Sequence, residues 1–285
     1  SDIEILSRAD GFSMDIGGKE GIIFSSSKDK LPRGKGVVIL DASVTINNEY
    51  KHYIVNKKAE RVRINQDARS YSNVTIHTAI TRDSVGKINT RTNSKEEKVK
   101  LSKTQHLIVN EVLDKTNDND VPLVISNMDF ANILKYNTFG GRSVQCEYWN
   151  NLTGRNDLRD CNKIFVITLP FKPMFHKNNL AHKHGLFGDE SETTEFEYSN
   201  LADDVYQAIM RGNLRKTQKY TTDAPKCDVY MILPARRNKL RSLIKKKLSS
   251  LLVDCQWSEW DLAEDNGEQI YNTNPPFQPS ATLKK

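Results

Sequence analysis

Three side chains suited to a phosphoryl group recur at four-residue intervals in the segment VYQAIMRGNLRK: Gln207, Arg211 and Arg215. An arginine guanidinium keeps its charge and donates paired hydrogen bonds, which matches the geometry of phosphate oxygens. The spacing predicts that all three lie on one face of a helix that begins near Asn200, with Asn200 as its N-cap. Apolar residues of that helix repeat at the same interval about 200° away around the axis, so the row would point away from the core. It is either a solvated polar face or a surface that binds phosphate.

A second polar cluster comes just before an apolar strand, in NNLTGRNDLRDCNKIFVI. Gly154 would allow the backbone to approach a ligand closely, and Thr153 and Asn156 can hydrogen-bond to phosphate or sugar. Arg155 and Asp157 complete this polar turn. The same residue types are also typical of an ordinary surface turn, so the segment alone leaves both interpretations open.

Composition sets limits on the function. The chain has 285 residues, a hydrophobic fraction of 37% and a net charge of +6, which mildly favours a polyanionic partner. It contains no apolar run of the roughly 18 residues that a membrane span requires, and we expect a cytoplasmic protein without a membrane partner. The four cysteines form no CxxC pair, which is typical of reduced thiols.

Two further segments carry residue types that bind phosphate or metal elsewhere, and we interpret both as structural. The glycines of DIGGKEGI (15–22) lack the GxxxxGK[ST] spacing of a phosphate-binding loop, and they predict a turn. Three histidines in HKNNLAHKHG (176–185) have no carboxylate or cysteine at a spacing that suits a metal. We therefore expect a solvated loop there and no metal site.

Strands and helices alternate along most of the chain, and the elements must place these side chains. Apolar runs predict strands at 33–43, 71–80, 121–127, 140–149, 162–170 and 226–234. Apolar residues at helical spacing predict helices at 101–115, 128–136, 200–210 and 236–252. Such alternation favours an α/β fold with a parallel sheet covered by helices on both faces. Functional residues of parallel sheets gather at the carboxyl ends of strands, here the segments 41–47, 126–130, 150–160 and 170–186.

Changes in composition divide the chain into three parts. The polar, turn-rich segment 81–98 predicts a linker, so that residues 1–95 form a smaller, partial α/β or β-rich segment ahead of the main sheet. Residues 96–253 form the main α/β domain. Residues 254–285 are acidic to polar and predict a tail.

The order of these segments resembles the second half of a superfamily-two helicase. LDAS (40–43), after an apolar strand, is similar to the Ser/Thr-Ala-Thr coupling motif of that family. PLVISNMDFANIL (122–134) is similar to the strand and helix that open its second RecA-like domain. LTGRNDLRDCNKIFVI (152–167) resembles motif V. QAIMRGNLR resembles the QxxGRxxR of motif VI, with methionine in place of the family's glycine and the last arginine one residue late.

The resemblance implies a RecA-like fold and an ATP-dependent motor that acts on nucleic acid, DNA in preference to RNA. Residues 1–95 would end a first RecA-like domain and continue as a linker, and residues 96–253 would be the second RecA-like domain. The family's phosphate loop and acidic magnesium motif lie upstream of the LDAS position. We therefore expect a fragment without ATPase activity of its own. ATP and Mg²⁺ would bind only in the complete protein, together with the N-terminal RecA-like domain of that protein.

The resemblance also implies roles for individual residues. Arg211 would be an arginine finger that stabilises the transferring phosphoryl group, with Gln207 and Arg215 as further catalytic residues. The nucleotide-binding residues would be Gly154, Asn156 and Asp157. The nucleic-acid contacts would be Ser126, Asn127, Thr153 and Arg155. The residues that couple the two sites would be Asp41, Ala42 and Ser43.

Two other classes of function are compatible with the sequence. A non-catalytic nucleic-acid-binding module would use the basic segment RRNKLRSLIKKK, with Tyr148 or Trp149 stacked on a base. A protein-interaction domain would dock a partner through the segment WSEWDL. Its two tryptophans, Trp257 and Trp260, are three residues apart, and such residues more often pack onto their own domain.

Overall fold

The structure is a computed structural model that describes residues 9–15, 20–26, 54, 69–81, 103–135, 144–172, 190–218, 221–262 and 270–271. The chain forms two compact units, one of residues 1–62 and 171–203 and the other of residues 63–170 and 204–285. Asp41, Ala42 and Ser43 lie outside the described residues, and so does the predicted histidine loop.

The first unit contains an antiparallel hairpin of strands β1 (Ala9–Asp15) and β2 (Glu20–Ser26), paired from Ala9–Ser26 to Asp15–Glu20. Residues 16–19, where the turn in DIGGKEGI is predicted, lie between these two strands in the sequence and outside the described residues. The hairpin places two β-strands ahead of the main sheet in the sequence.

The second unit is built on one sheet and the helices that cover it. Its strands are β3 (Val74–Thr81), β4 (Pro122–Ser126), β5 (Gln145–Tyr148), β6 (Lys163–Val166), β7 (Cys227–Pro234), β8 (Gln256–Glu259) and β9 (Ile270–Tyr271). Its helices are α1 (Lys103–Asp114), α2 (Met128–Lys135), the last six residues of α3 (Glu190–Ile209) and α4 (Asn238–Leu251).

Six strands of the sheet are parallel and follow the order β5-β4-β6-β7-β3-β8. The short strand β9 pairs antiparallel with the end of β3. All five residues of β4 are buried, as expected for a strand with layers on both faces. This six-stranded parallel sheet with helices is consistent with an α/β RecA-like fold.

Connection handedness decides which helix covers which face. The connections from β3 to β4 and from β4 to β5 step toward one edge of the sheet, whereas those from β6 to β7 and from β7 to β8 step toward the other. Because parallel crossovers are right-handed, the two directions place their helices on opposite faces. Accordingly, α1 and α2 share one hydrophobic cluster with Val124, Phe165 and Tyr230. The buried stripe of α4, formed by Leu240, Ile244 and Leu248, is not part of that cluster.

The observed elements start and end close to the predicted bounds, with two differences. α3 begins at Glu190, ten residues before the predicted start, so Asn200 lies inside the helix and is not its N-cap. Its first half was missed because polar residues such as Thr193 and Ser199 occupy buried positions and hide the apolar repeat. The other difference is β8, which is a strand of the parallel sheet although it lies in the predicted acidic tail.

The residues just after β8 complete the core. Trp260 is 1% exposed, contacts Phe165 and Tyr230 edge-on at 6.2 and 5.3 Å between ring centroids, and donates from Nε1 to Glu111 Oε2 at 2.9 Å. Trp257 donates to Ser249 Oγ at 3.0 Å. Both tryptophans therefore pack onto their own unit, as expected.

Three polar side chains meet near the amino ends of β6, β7 and β3, on the face covered by α1 and α2. Asp228 lies 2.6 Å from Lys163 Nζ and 3.5 Å from His77 Nε2. The hydrogen bond from His77 and, less strongly, that from Lys163 lower the pKa of the Asp228 carboxyl to about 2 against the opposing effect of burial. His77 also stacks on Tyr230 with 4.5 Å between ring centroids. The three strands are thus joined by charge as well as by backbone pairing.

This cluster predicts a loss of stability in acid. Because the folded pKa of Asp228 lies below the usual 3.8, its stabilising contribution is complete above about pH 4 and is lost as pH falls toward 2. The shift corresponds to about 2 kcal/mol. Urea unfolding at pH 5 and pH 2, followed by tryptophan fluorescence, should therefore show a smaller acid loss for Asp228→Asn than for the wild type. An Asp118→Asn control should behave like the wild type; an unchanged acid loss in Asp228→Asn would contradict the prediction.

Candidate functional site at the amino end of the sheet

The helical row of Gln207, Arg211 and Arg215 does not form as predicted. α3 ends at Ile209, and Arg215 lies in a separate 3₁₀ turn, Asn213–Arg215. The chain turns toward the sheet at Gly212, where an added β-carbon would lie 2.5 Å from Ile164 Cδ1 and 2.9 Å from the Cys161 carbonyl oxygen. Only glycine permits this approach, and the approach ends the helix.

The turn after α3 is fixed at the amino end of the sheet. The Asn213 backbone N–H donates to the Cys161 carbonyl at 2.9 Å, and its side-chain amide donates to the Lys226 carbonyl at 3.1 Å. Cys161 and Lys226 lie immediately before β6 and β7 in the chain. Arg211 and Arg215 are therefore held near the amino ends of these strands, away from the carboxyl ends to which the sequence analysis gave priority.

The two polar segments singled out in the sequence meet here. Arg215 donates from Nη2 to Asn156 Oδ1 at 2.9 Å, across 59 positions of sequence. Lys216 pairs with Asp160, and the hydrogen bond from Lys216 lowers the pKa of that carboxyl. The connection from β5 to β6, residues 149–162, makes this possible because it crosses from the carboxyl to the amino end of the sheet.

Arg69 fastens the same turn from the other side. Its guanidinium donates to the carbonyl oxygens of Leu214, Arg215 and Lys216, which are the acceptors that the end of a 3₁₀ turn leaves without partners. Arg69 could not be identified from the sequence, because a lone arginine 145 residues away carries no local signal of such a contact.

Arg155 belongs to an ion-pair network around a buried carboxylate. Glu147, only 5% exposed, accepts from Asn151 at 2.6 Å and lies 3.2 Å from Arg155 and 3.5 Å from Lys135. Arg155 also donates from Nε to Asp157 Oδ1 at 2.6 Å. These hydrogen bonds raise the pKa of Arg155 and lower the pKa of Asp157. Arg155 and Asp157 thus neutralise each other, and Glu147 was not identified from the sequence.

Arg211 differs from its charged neighbours. Its side chain is half-buried, and among the described residues it has no hydrogen-bond or ion-pair partner. Gln207, on the last turn of α3, is also half-buried, and the described part of the chain likewise offers it no side-chain partner. Among the cations around this turn, Arg155 and Lys216 form ion pairs and Arg215 donates to Asn156, whereas the Arg211 guanidinium has no partner among the described residues.

The remaining predicted residues lie elsewhere or in the turn itself. Ser126 ends β4 at the carboxyl edge, and Asn127 accepts from the Phe130 backbone N–H at 3.1 Å, which caps the amino end of α2. They are therefore not brought together with Arg211. Thr153 and Gly154 are exposed at the tip of the connection, where Gly154 has φ +76°. Glycine adopts that conformation without strain.

The structure gives limited support to base stacking by Tyr148 or Trp149 and to reactive cysteine thiols. Trp149 donates from Nε1 to the Thr168 carbonyl at 3.0 Å, and Tyr148 lies 5.9 Å below Lys135 Nζ, so both rings have intramolecular contacts. The cysteines are free, as expected. Burial raises the pKa of Cys146 and Cys161 to about 12 and that of Cys255 to about 11, which disfavours the thiolate.

The basic segment RRNKLRSLIKKK forms most of α4, but not all of its basic side chains are exposed. Arg241 is buried, and burial lowers its pKa.

No group of three metal-ligating side chains occurs within the described ranges. None of the helices in those ranges is long and apolar enough to span a bilayer.

The second unit is thus a parallel α/β unit, and the turn that carries Arg211, Arg215 and Lys216 lies at the amino end of its sheet. Comparison with protein-family models, with curated proteins and with solved structures gave no match to this chain. The functional assignment therefore depends on the residues themselves.

Proposed function

We propose that the second unit is one RecA-like half of an ATP-dependent nucleic-acid helicase or translocase, in which Arg211 contacts the transferring phosphoryl group. The observation that carries the proposal is the hydrogen bond between Arg215 and Asn156. It joins the two segments that resemble motifs VI and V, which would have to touch if nucleotide state controls contact with nucleic acid. The unpaired guanidinium of Arg211 lies four residues from that contact.

The donor set fits phosphate oxygens. Arg211 offers a planar, permanently charged fork, and Gln207 offers an amide on the preceding helical turn. Arg211 and Gln207 would contact the phosphates of ATP. ATP would supply the phosphoryl group that is transferred, and Mg²⁺ would neutralise part of its charge. In this proposal the ligands for Mg²⁺ come from the other half, because the carboxylates of the adjoining connection, Asp157 and Asp160, are paired with Arg155 and Lys216.

Arg215 takes a different role in this proposal. Its Nη2 donates to Asn156 Oδ1, and its backbone carbonyl accepts from Arg69. It is therefore a positioning residue that holds the 153–160 connection against the turn of Arg211. Movement of that turn on nucleotide release would be transmitted to Thr153 and Arg159, which are exposed on the same connection and are placed to meet a phosphate backbone.

A salt titration tests the nucleic-acid part. The full chain should bind a single-stranded DNA oligonucleotide with an affinity that falls linearly with salt on a logarithmic plot, by about 0.7 per phosphate contact. Fluorescence anisotropy between 50 and 300 mM salt (roughly the range in which such contacts weaken) measures the slope. Arg159→Ala should lower the slope by about one contact, whereas the exposed Lys115→Ala on the end of α1 should not. A slope near zero in the wild type would reject nucleic acid as the partner.

A further inference from the structure

The first turn of α4 contains a buried cation with no acidic partner. Arg241 is 3% exposed, and its Nη1 donates to the carbonyl oxygens of Pro234, at 2.9 Å, and Ala235. Its Nε is buried and has no hydrogen-bond partner, and no carboxylate in the described part of the chain pairs with it. Burial lowers the pKa of this guanidinium, in agreement with a charge that has no acidic partner.

Because Arg241 lies in the first turn of α4, the helix dipole adds to its uncompensated positive charge. The first backbone bond of α4 runs from the Arg241 N–H to the Arg237 carbonyl at 3.1 Å, so the amides of residues 238–240 have no acceptor within the helix. Arg237 gives no side-chain cap, and the first turn holds no acidic residue. The helix dipole adds about half a positive charge at this end, where a further cation is unfavourable.

The side chain of Arg241 also points toward that helix end. Helical side chains lean toward the amino terminus, and the bonds to Pro234 and Ala235 place the guanidinium beside the two residues that lead from β7 into the helix. Three free amide donors thus lie next to a buried positive charge. Asn238, in the same turn, has a buried amide oxygen without a partner, and a 180° rotation of that amide would present its NH₂ group as another donor.

The location in the sheet agrees with a ligand site. β7 and β3 are neighbours, and their following helices, α4 and α1, lie on opposite faces. Open parallel sheets bind ligands in the crevice at the carboxyl ends of such strand pairs, and anions bind at helix amino termini. The site lies at the carboxyl end of the sheet, whereas Arg211 lies at the amino end, and the site does not depend on the proposed function.

We propose that the amino terminus of α4 binds a phosphate group, with the amides of residues 238–240 as donors and Arg241 as the buried counter-charge. The phosphate can be free inorganic phosphate or one phosphate of a nucleic-acid backbone. Either would offset the combined charge of the guanidinium and the helix dipole, for which the described chain supplies two carbonyl oxygens but no carboxylate.

The decisive variant is Asn238→Asp, which places a carboxylate in the site itself. In chloride buffer it should melt about 1–3 °C above the wild type, because an acid in the first turn complements the dipole. Phosphate at saturating concentration, against chloride of equal ionic strength, should raise the melting temperature of the full wild-type chain by about 2–4 °C more than that of Asn238→Asp. Asn110→Asp, an exposed residue on α1 with the same change of charge, should respond like the wild type.

The comparison with Asn110→Asp separates the site from general stabilisation. Phosphate is excluded from protein surfaces and stabilises most folded proteins, and this effect is equal in the two Asp variants. Arg241→Met should also lose the additional phosphate response, and if that variant does not fold, Asn238→Asp still decides. An equal phosphate response in Asn238→Asp and Asn110→Asp would overturn the proposal.

A second measurement identifies the source of the phosphate. Binding of a 20-nucleotide single-stranded DNA is compared between the two Asp variants by anisotropy. Weaker binding by Asn238→Asp shows that the site takes a backbone phosphate. Equal binding, with the difference in the phosphate response retained, shows that it takes free phosphate. Either outcome supports the site and assigns its ligand.

Discussion

If the second unit is one half of an ATP site, as proposed, the Arg211→Ala variant of the complete protein is expected to hydrolyse ATP about 10³- to 10⁵-fold more slowly than the wild type. Negative charge develops on the phosphoryl oxygens in the transition state, and a positioned guanidinium stabilises it more than it stabilises bound ATP. The loss should therefore appear in kcat, with little change in KM. Steady-state ATP hydrolysis by the complete protein, stimulated by single-stranded DNA, measures both constants.

Two comparisons make this result specific for Arg211. Arg211→Lys keeps the charge but not the planar fork, and it should restore only part of the rate. Arg215→Ala should act differently, because its contact is Asn156 rather than a ligand. We expect it to weaken the stimulation by DNA more than the basal rate. Lys115→Ala on the end of α1 is the control that leaves both unchanged.

The outcome that contradicts the finger role is equally clear. If Arg211→Ala turns over ATP at the wild-type rate, the guanidinium does not contact the phosphoryl group. Arg155 and Lys216 do not offer a ready substitute, since Arg155 is paired with Asp157 and Lys216 with Asp160. The unit would then retain, at most, the nucleic-acid-binding role that the salt titration examines.

Periodicity was sufficient to predict the sheet and most of its helices. β4 and β7 are short apolar runs that end in Ser126 and Pro234, and β6 ends at Val166 within an apolar segment that is stopped by Pro170. Their local sequences leave few alternatives. α4 was predicted from its apolar stripe to within two residues at its start. Such elements are specified by side-chain patterns that a window of ten residues contains.

The site was harder to predict because its geometry is set by long-range contacts. The four-residue spacing of Gln207, Arg211 and Arg215 suggested one helical face, but packing of Gly212 on Ile164 ends the helix before Arg211. The pairing of Arg215 with Asn156 spans 59 positions, and the anchoring of the turn by Arg69 spans about 146. The resemblance assigned Arg215 and Asn156 to one nucleotide site but gave no contact between them, and nothing in the local sequence indicated the contact of Arg69.

The sheet's last parallel strand shows the same limit. Residues 254–285 are acidic to polar and predicted a tail, yet β8 pairs with β3, and Trp260 enters the core. The burial pattern of β8 alternates between exposed and half-buried residues, since it is an edge strand. Such a strand contributes few apolar residues, so its sequence resembles a solvated segment until the tryptophan that follows it is considered.

Trp260 therefore gives the second large effect. Trp260→Ala is expected to lower the free energy of unfolding of this unit by about 3–5 kcal/mol through the lost burial and the cavity. Loss of its Nε1–H also leaves the buried carboxylate of Glu111 without that donor, which adds about 1–3 kcal/mol. Against a typical total of about 5–15 kcal/mol, this change would leave the unit marginally folded.

Two matched variants divide that loss into its parts. Trp260→Phe keeps most of the ring and should cost mainly the Glu111 hydrogen bond, about 1–3 kcal/mol. Trp257→Ala, three residues earlier and half-exposed with a bond to Ser249, should cost less than Trp260→Ala. Urea unfolding followed by fluorescence measures all three, and it reports on this unit because every tryptophan of the chain lies in it. If Trp260→Ala costs no more than Trp257→Ala, residues 256–262 do not belong to the core, and docking of a partner through WSEWDL becomes the better explanation of these tryptophans.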